Sequence, residues 1–224
     1  MHVVVNAAMS ADGKLSSRRR EQVLISGEED FRRVDELRAE SDAVMVGVGT
    51  VVADDPSLNV DDPDLRAGRD ERGQPEQPAR VVADSRIRTP PDATILDDSA
   101  ATYVLTSEQA PSDFVDQMAD AGATVVVAGH SRVDLQAAFE TLERDHGVER
   151  LMVEGGGELI FGLFEEGLVD ELFAFVGPQV IGGRDAPTLA DGDGFVEDFV
   201  PLELSAVERL DDGVLLRWVP KDRR

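Results

Sequence analysis

The chain has 224 residues, 42% of them hydrophobic, and carries 22 Lys and Arg against 46 Asp and Glu, a formal net charge of −24. Such acidity excludes nucleic acid and anionic membrane surfaces as partners, and no apolar run approaches the ~18 residues that a membrane span needs. With no cysteine the chain has no disulfide, no thiol nucleophile and no cysteine-type zinc site.

The predicted elements alternate along the chain. Residues 3–8 read as a first strand, entered directly after Met1-His2 without a basic n-region or cleavage site, which implies a cytoplasmic protein. Residues 28–40 form a charged-faced helix with Phe31, Val34 and Leu37 inward. Residues 43–46 are a short strand of the buried type, its exit bracketed by Gly47 and Gly49 with the Thr50 hydroxyl beside them. Asp54 and Asp55 precede Pro56, which stops a helical turn there. The stretch 54–78, rich in Pro, Gly and charge, reads as a long surface loop. Strands follow at 79–83 and 102–105, then a helix over 112–121 capped by Ser112, and a strand over 123–127. Residues 133–145 place Leu135, Ala138, Phe139 and Leu142 on one helical face. A strand at 151–154 runs into a helix at 158–166, and a strand at 172–176 leads into a loop over 177–200 full of Gly, Asp and Pro. Strands at 202–210 and 214–219, joined by Asp211-Asp212-Gly213, close the chain as a hairpin. With no repeat or linker in view, residues 1–224 are expected to form one α/β domain: a mostly parallel central sheet flanked by helices, with a C-terminal antiparallel hairpin.

Two places invite a ligand. At 151–159 an apolar strand ends in the carboxylate of Glu154, then Gly155, Gly156 and Gly157, then a helix. Glycines let the backbone approach a phosphate, and the first N–H groups of a helix face an anion. The spacing matches neither a dinucleotide fingerprint nor a P-loop. The strand ending at Gly47 and Gly49 is the second place. Two glycine-lined strand ends suggest two walls of one cleft, since open α/β sheets bind ligands at the carboxyl ends of their strands. His2, His130 and His146 are scattered, and no metal site is visible.

In order, the chain carries Ser10-Ala-Asp12-Gly13-Lys14, Ile25-Ser26-Gly27, Leu37-Arg38-Ala39, the run from Gly47 through Thr50, Asp54, Asp55 and Pro56 to Leu58, Asp84-Ser85-Arg86, Val153-Glu154-Gly155-Gly156-Gly157-Glu158-Leu159, and Leu168-Val169-Asp170-Glu171-Leu172. This ordered set resembles the reductase domain of riboflavin biosynthesis, which in bacteria is fused behind a pyrimidine deaminase and in archaea stands alone. The resemblance covers nearly the whole chain. It implies a dihydrofolate-reductase-like fold, a homodimer, a nicotinamide cofactor, and reduction of a ribosylamino-pyrimidine 5′-phosphate to its ribitylamino counterpart. The deaminase partner uses cysteine-ligated zinc, which a chain without cysteine cannot hold.

Carried over residue by residue, the resemblance makes Lys14 and Glu154 catalytic substrate ligands and Arg38 a ligand of the substrate phosphate. It makes Thr50, Asp54, Leu58, Ser85, Gly156, Gly157, Glu158 and Leu159 cofactor contacts. Each has an ordinary alternative. Lys14 would be a solvated charge, although only Lys14 and Lys221 are lysines in this chain. Arg38 would serve the end of its helix, and Glu154 a helix dipole. Relatives usually carry an arginine soon after Leu58, where this chain has Val60-Asp61-Asp62. Arg66 or Arg69 can replace it only if that loop folds back. Ser85 with Arg86 or Arg88 favours NADPH over NADH through a 2′-phosphate. A dihydrofolate or pteridine reductase and a non-catalytic nucleotide-binding module remain as rival readings. The acidity suits a halophilic archaeal protein, whose like charges are screened by molar salt.

Overall fold

Branched apolar runs become parallel strands wherever both faces of the sheet are covered. The structure, a computed structural model, describes residues 1–21 and 23–221. The chain divides into two compact units, one of Met1 with Asp35–Met152 and one of His2–Val34 with the residues from Val153 onward. It passes from one to the other within helix α1 (Glu28–Glu40) and within strand β6 (Arg150–Gly155).

In the first unit β2 (Ala43–Gly47), β3 (Ala79–Ala83), β4 (Thr102–Thr106) and β5 (Thr124–Val127) pair in parallel, each with the next. Val44, Met45, Val81, Val82, Val104 and Leu105 are buried in it. Helices α4 (Ser112–Asp120) and α5 (Leu135–His146) follow β4 and β5. The periodicity read from sequence holds for α5, whose Leu135, Ala138, Phe139 and Leu142 are buried. Asp134 caps it by accepting from the Ala137 N–H at 2.9 Å, and Gly147 ends it in the left-handed region at φ 68°.

Three local expectations fail here for identifiable reasons. The stretch 54–78 is not all loop, because α3 (Pro63–Glu71) forms inside it. Asp62 accepts from the Asp64 N–H at 2.8 Å, and Pro63 takes the first helical position, where its missing N–H costs nothing. Ser112 is not the cap of α4. It is the first helical residue after Pro111, and its hydroxyl turns to Asp113 instead. In α1, Phe31 is 52% exposed while Asp30 is buried. That carboxylate accepts from the Arg33 guanidinium at 2.6 Å, and Arg33 also donates to the Asn6 side chain, so a polar pairing takes the inward position.

Arg69 of α3 is 1% exposed. Its guanidinium donates to the carbonyls of Ala39, Ser41 and Pro75 at 2.7–2.9 Å, the first of these in the last turn of α1. A buried cation whose donors are satisfied by helix-end carbonyls is a structural tie. Arg69 is thereby removed as a substitute phosphate ligand, and Arg66 lies half-buried on the same helix.

In the second unit β1 (His2–Ser10) pairs in parallel with β7 (Glu171–Gly177), in the register Ala7↔Ala174. β7 pairs antiparallel with β9 (Gly213–Pro220), and β9 with β8 (Leu202–Leu210), which is the expected hairpin. Its turn is Asp211-Asp212, with Leu210 opposite Gly213. Asp211 does more than turn the chain. Its carboxylate accepts from the backbone N–H groups of Gly27, Glu29 and Asp30 at 3.0–3.1 Å, so the hairpin caps the start of α1. A Cβ on Gly27 would lie 2.6 Å from that carboxylate, which is why glycine stands there. Desolvation raises the Asp211 pKa, but these backbone donors outweigh it and the net shift is downward. No helix among the described residues is long and apolar enough to cross a membrane.

Candidate active site

In the second unit, β1 ends in a tight turn. The Ser10 N–H donates to the Lys14 carbonyl, the Gly13 N–H donates to the Ser10 carbonyl, and Gly13 supplies the positive φ of 78°. This turn lifts Lys14, half-buried, toward the segment 177–191. The Lys14 ammonium donates to the Ala186 carbonyl at 3.1 Å, and the Lys14 backbone bridges to Thr188.

Glu154 is half-buried near the end of β6, and α6 (Gly157–Glu165) begins two residues after that strand. The three glycines have separate local settings. Gly155 has φ 149°, and the Gly155–Gly156 peptide is cis. Gly156 is the extended residue at the helix start (φ −91°, ψ 179°), with no side chain capping the helix. Gly157 is packed from outside: a Cβ there would lie 2.6 Å from the Thr188 carbonyl and 2.6 Å from the Asp191 carboxylate. Asp191 accepts from the Thr188 N–H and hydroxyl, and its own N–H donates to the Gly157 carbonyl. Thr188 therefore touches both the Lys14 turn and the start of α6, which brings those two sequence motifs together. By helix geometry the N–H groups of the first turn of α6 have no partner within the helix. Glu158 is exposed and Leu159 half-buried in that turn.

In the first unit, Arg38 lies in the last turn of α1 and its guanidinium donates to the Asn59 carbonyl at 2.8 Å. The Asn59 side chain accepts from Arg80 at 2.9 Å. Arg80 is fully buried on β3 and also donates to the carbonyls of Ile95 and Asp97 and to the Asp97 carboxylate. Thr50 lies on α2 (Val48–Asp54), a helix where sequence reading found only a strand exit. Asp54 is its last residue, and desolvation pushes its carboxyl pKa up. Leu58 is buried in the left-handed region at φ 56°. Ser85 follows β3 and Asp84; its hydroxyl accepts from the Val133 N–H at 3.0 Å, and Arg86 and Arg88 beside it are exposed. The roles of Asn59, Arg80 and Asp191 were not visible in the sequence, because each acts through contacts to residues distant along the chain.

A mostly parallel sheet closed by an antiparallel hairpin, with helices after the strands, defines an α/β protein of the dihydrofolate-reductase-like class. The RibD C-terminal domain family matches residues 1–216, and the chain belongs to that family. It is 50% identical over 212 residues to the 2,5-diamino-6-ribosylamino-4(3H)-pyrimidinone 5′-phosphate reductase of Archaeoglobus fulgidus, covering 95% of this chain and 94% of that one. With the enzyme of the same name from Methanothermobacter thermautotrophicus it shares 45% identity over 222 residues, 98% of each chain. Among solved structures it is similar to Acinetobacter baumannii RibD, with a TM-score of 0.79 and 28% identity, over 99% of this chain and 58% of that longer one.

Proposed function

We propose that this chain is the stand-alone reductase of riboflavin biosynthesis, reducing 2,5-diamino-6-(ribosylamino)-4(3H)-pyrimidinone 5′-phosphate to the ribitylamino product. The observation that carries this reading is end-to-end similarity to reductases of that name, with half the residues identical in one of them. Ring opening of the ribosylamine gives an imine; hydride added at C1 and a proton added at nitrogen complete the ribitylamine. NADPH, with NADH as the alternative, supplies that hydride when bound. The start of α6 suits a pyridine nucleotide phosphate, because its first turn presents backbone donors behind a glycine and its dipole favours an anion.

The chain's own residues bind and orient. The Lys14 ammonium donates toward the sugar C1, where charge gathers on the ring oxygen or the imine nitrogen. The Glu154 carboxylate accepts from the amino groups of the pyrimidine. The fork of Arg38 suits the phosphate, with Asp61 standing where relatives usually carry a further arginine. Ser85, Arg86 and Arg88 favour a 2′-phosphate. Reduction with nicotinamide-deuterated NADPH tests the reaction. Deuterium at C1 of the ribityl chain is the expected result, and product without deuterium there would overturn it.

Gly156→Val is expected to weaken NADPH binding far more than folding, because a Cβ and two methyls would stand where phosphate approaches the helix start. Paired titration and melting measurements decide this. A variant that loses stability but keeps its dissociation constant would make Gly156 a turn residue only.

A homodimer fits the apolar side chains left on the hairpin. Leu204 is 45% exposed and Val207 57% exposed on β8. Leu172, Ala174 and Phe175 of β7, by contrast, are buried. Light scattering in molar KCl is expected to give twice the 24.2 kDa chain mass, and a monomer mass would refute the dimer.

A further inference from the structure

Asp12 is exposed, yet both of its carboxylate oxygens are committed. Oδ1 accepts from the Ser10 hydroxyl at 2.6 Å and from the Ile181 N–H at 3.0 Å, and Oδ2 accepts from the Gly182 N–H at 2.7 Å. The Ser10 hydroxyl in turn accepts from the Lys14 N–H at 2.9 Å. Around this centre the Ala11 N–H donates to the Gln179 carbonyl and the Leu15 N–H to the Pro187 carbonyl. The turn 10–15 is thus laced along the segment 179–188, and the Ala186 carbonyl that receives the Lys14 ammonium lies within the laced stretch.

We propose that Asp12 is a positioning residue for Lys14, fixing at once the turn that carries the lysine and the 181–188 segment that orients its ammonium. Two routes connect them. One runs from Asp12 through the Ser10 hydroxyl to the Lys14 backbone. The other runs through Ile181 and Gly182 along the segment to the Ala186 carbonyl. A lysine stem has four rotatable bonds, and an ammonium held by a single carbonyl acts at a defined point only if that carbonyl is itself fixed. The Asp12 carboxyl is held at about 2, first by the Ser10 hydroxyl and then by the Ile181 N–H, so the clasp remains charged at every pH at which turnover is measured.

The proposal rests on Lys14 acting on the substrate, and a double-mutant cycle separates the two claims. Steady-state kinetics at molar KCl, with NADPH and the ribosylamino-pyrimidine phosphate, are compared for the parent, Asp12→Ala, Lys14→Met and the double variant. Melting temperature and NADPH dissociation constant are measured beside them. Asp12→Ala is expected to lower kcat/KM by about tenfold in the parent and by less than about twofold in the Lys14→Met background, with NADPH affinity unchanged. An equal loss in both backgrounds, or no loss in the parent, would overturn the role of Asp12 while leaving that of Lys14 standing. If Lys14→Met alone keeps kcat within about threefold of the parent, the reading of Lys14 fails and the proposal falls with it. Asp12→Asn, which keeps size and one acceptor, is carried through the same cycle in case the alanine variant does not fold.

Discussion

Lys14→Met is expected to lose about 30- to 1000-fold in turnover while NADPH binding stays within about twofold of the parent, and Glu154→Gln is expected to behave likewise. The magnitude comes from the cost of removing one charged or donating group from a reacting centre, about 2–4 kcal/mol of barrier. Methionine keeps the length and much of the apolar stem of lysine, so the variant removes the ammonium without opening a large gap. The hydrogen bond that half-buried Lys14 donates from Nζ to the Ala186 carbonyl is lost as well. A charge-assisted hydrogen bond of that kind is worth about 1.5–3 kcal/mol of stability at most, less than the about 5–15 kcal/mol that hold a folded domain together. Rate and melting temperature therefore separate the two roles. A kcat within about threefold of the parent at matched salt would make Lys14 a structural strut for the 177–191 segment and nothing more.

Folding is expected to require salt. The net charge of −24 is spread over a chain with only 22 cationic side chains, and several of those cations serve carbonyl oxygens: Arg69 those of Ala39, Ser41 and Pro75, and Arg80 those of Ile95 and Asp97. The acidic excess is then expected to be met by dissolved ions. Raising ionic strength from about 0.1 M to about 1 M shortens the Debye length from about 10 Å to about 3 Å, which silences repulsion between all but adjacent carboxylates. A rise in melting temperature on the order of 10 °C or more between dilute buffer and molar KCl is the expected result, corresponding to a few kcal/mol for a chain of this size. A melting temperature that does not move across the salt series would contradict it.

The strands and the long helices were legible because burial writes itself into spacing. The apolar positions of α5 and the alternation with strands located the strands and the longer helices but not α2 or α3, and Asp211-Asp212-Gly213 announced the hairpin. Polar residues that turn inward left less trace. Asp30 displaces Phe31 from the buried side of α1 through its pairing with Arg33, a preference no hydrophobic pattern encodes. Helix α3 had a readable signal in Asp62-Pro63, a cap followed by proline at the first helical position. The abundance of charge after it masked that signal, because Arg69, which helps tie the helix down, is buried against the Ala39 and Ser41 carbonyls, 30 and 28 residues away in the chain.

The site divides in the same way. Motif order pointed to Lys14, Glu154 and the start of α6, and the structure joins the Lys14 turn to that helix through Thr188. Gly157 was read as a place of approach for a ligand, and its missing side chain also makes room for Thr188 and Asp191. Asp12 was present in the motif without a role. The role proposed for it rests on the Ser10 hydroxyl beside it and on the N–H groups of Ile181 and Gly182, far along the chain.

What defines the reaction is its substrate. Its most direct test follows NADPH oxidation at 340 nm (the reduced nicotinamide absorbance) in molar KCl, with the purified chain and either the ribosylamino-pyrimidine 5′-phosphate or dihydrofolate. Rapid oxidation with the pyrimidine ribose phosphate and none above background with dihydrofolate is the predicted result. Oxidation with dihydrofolate alone, or NADPH binding without oxidation by either compound, would contradict it.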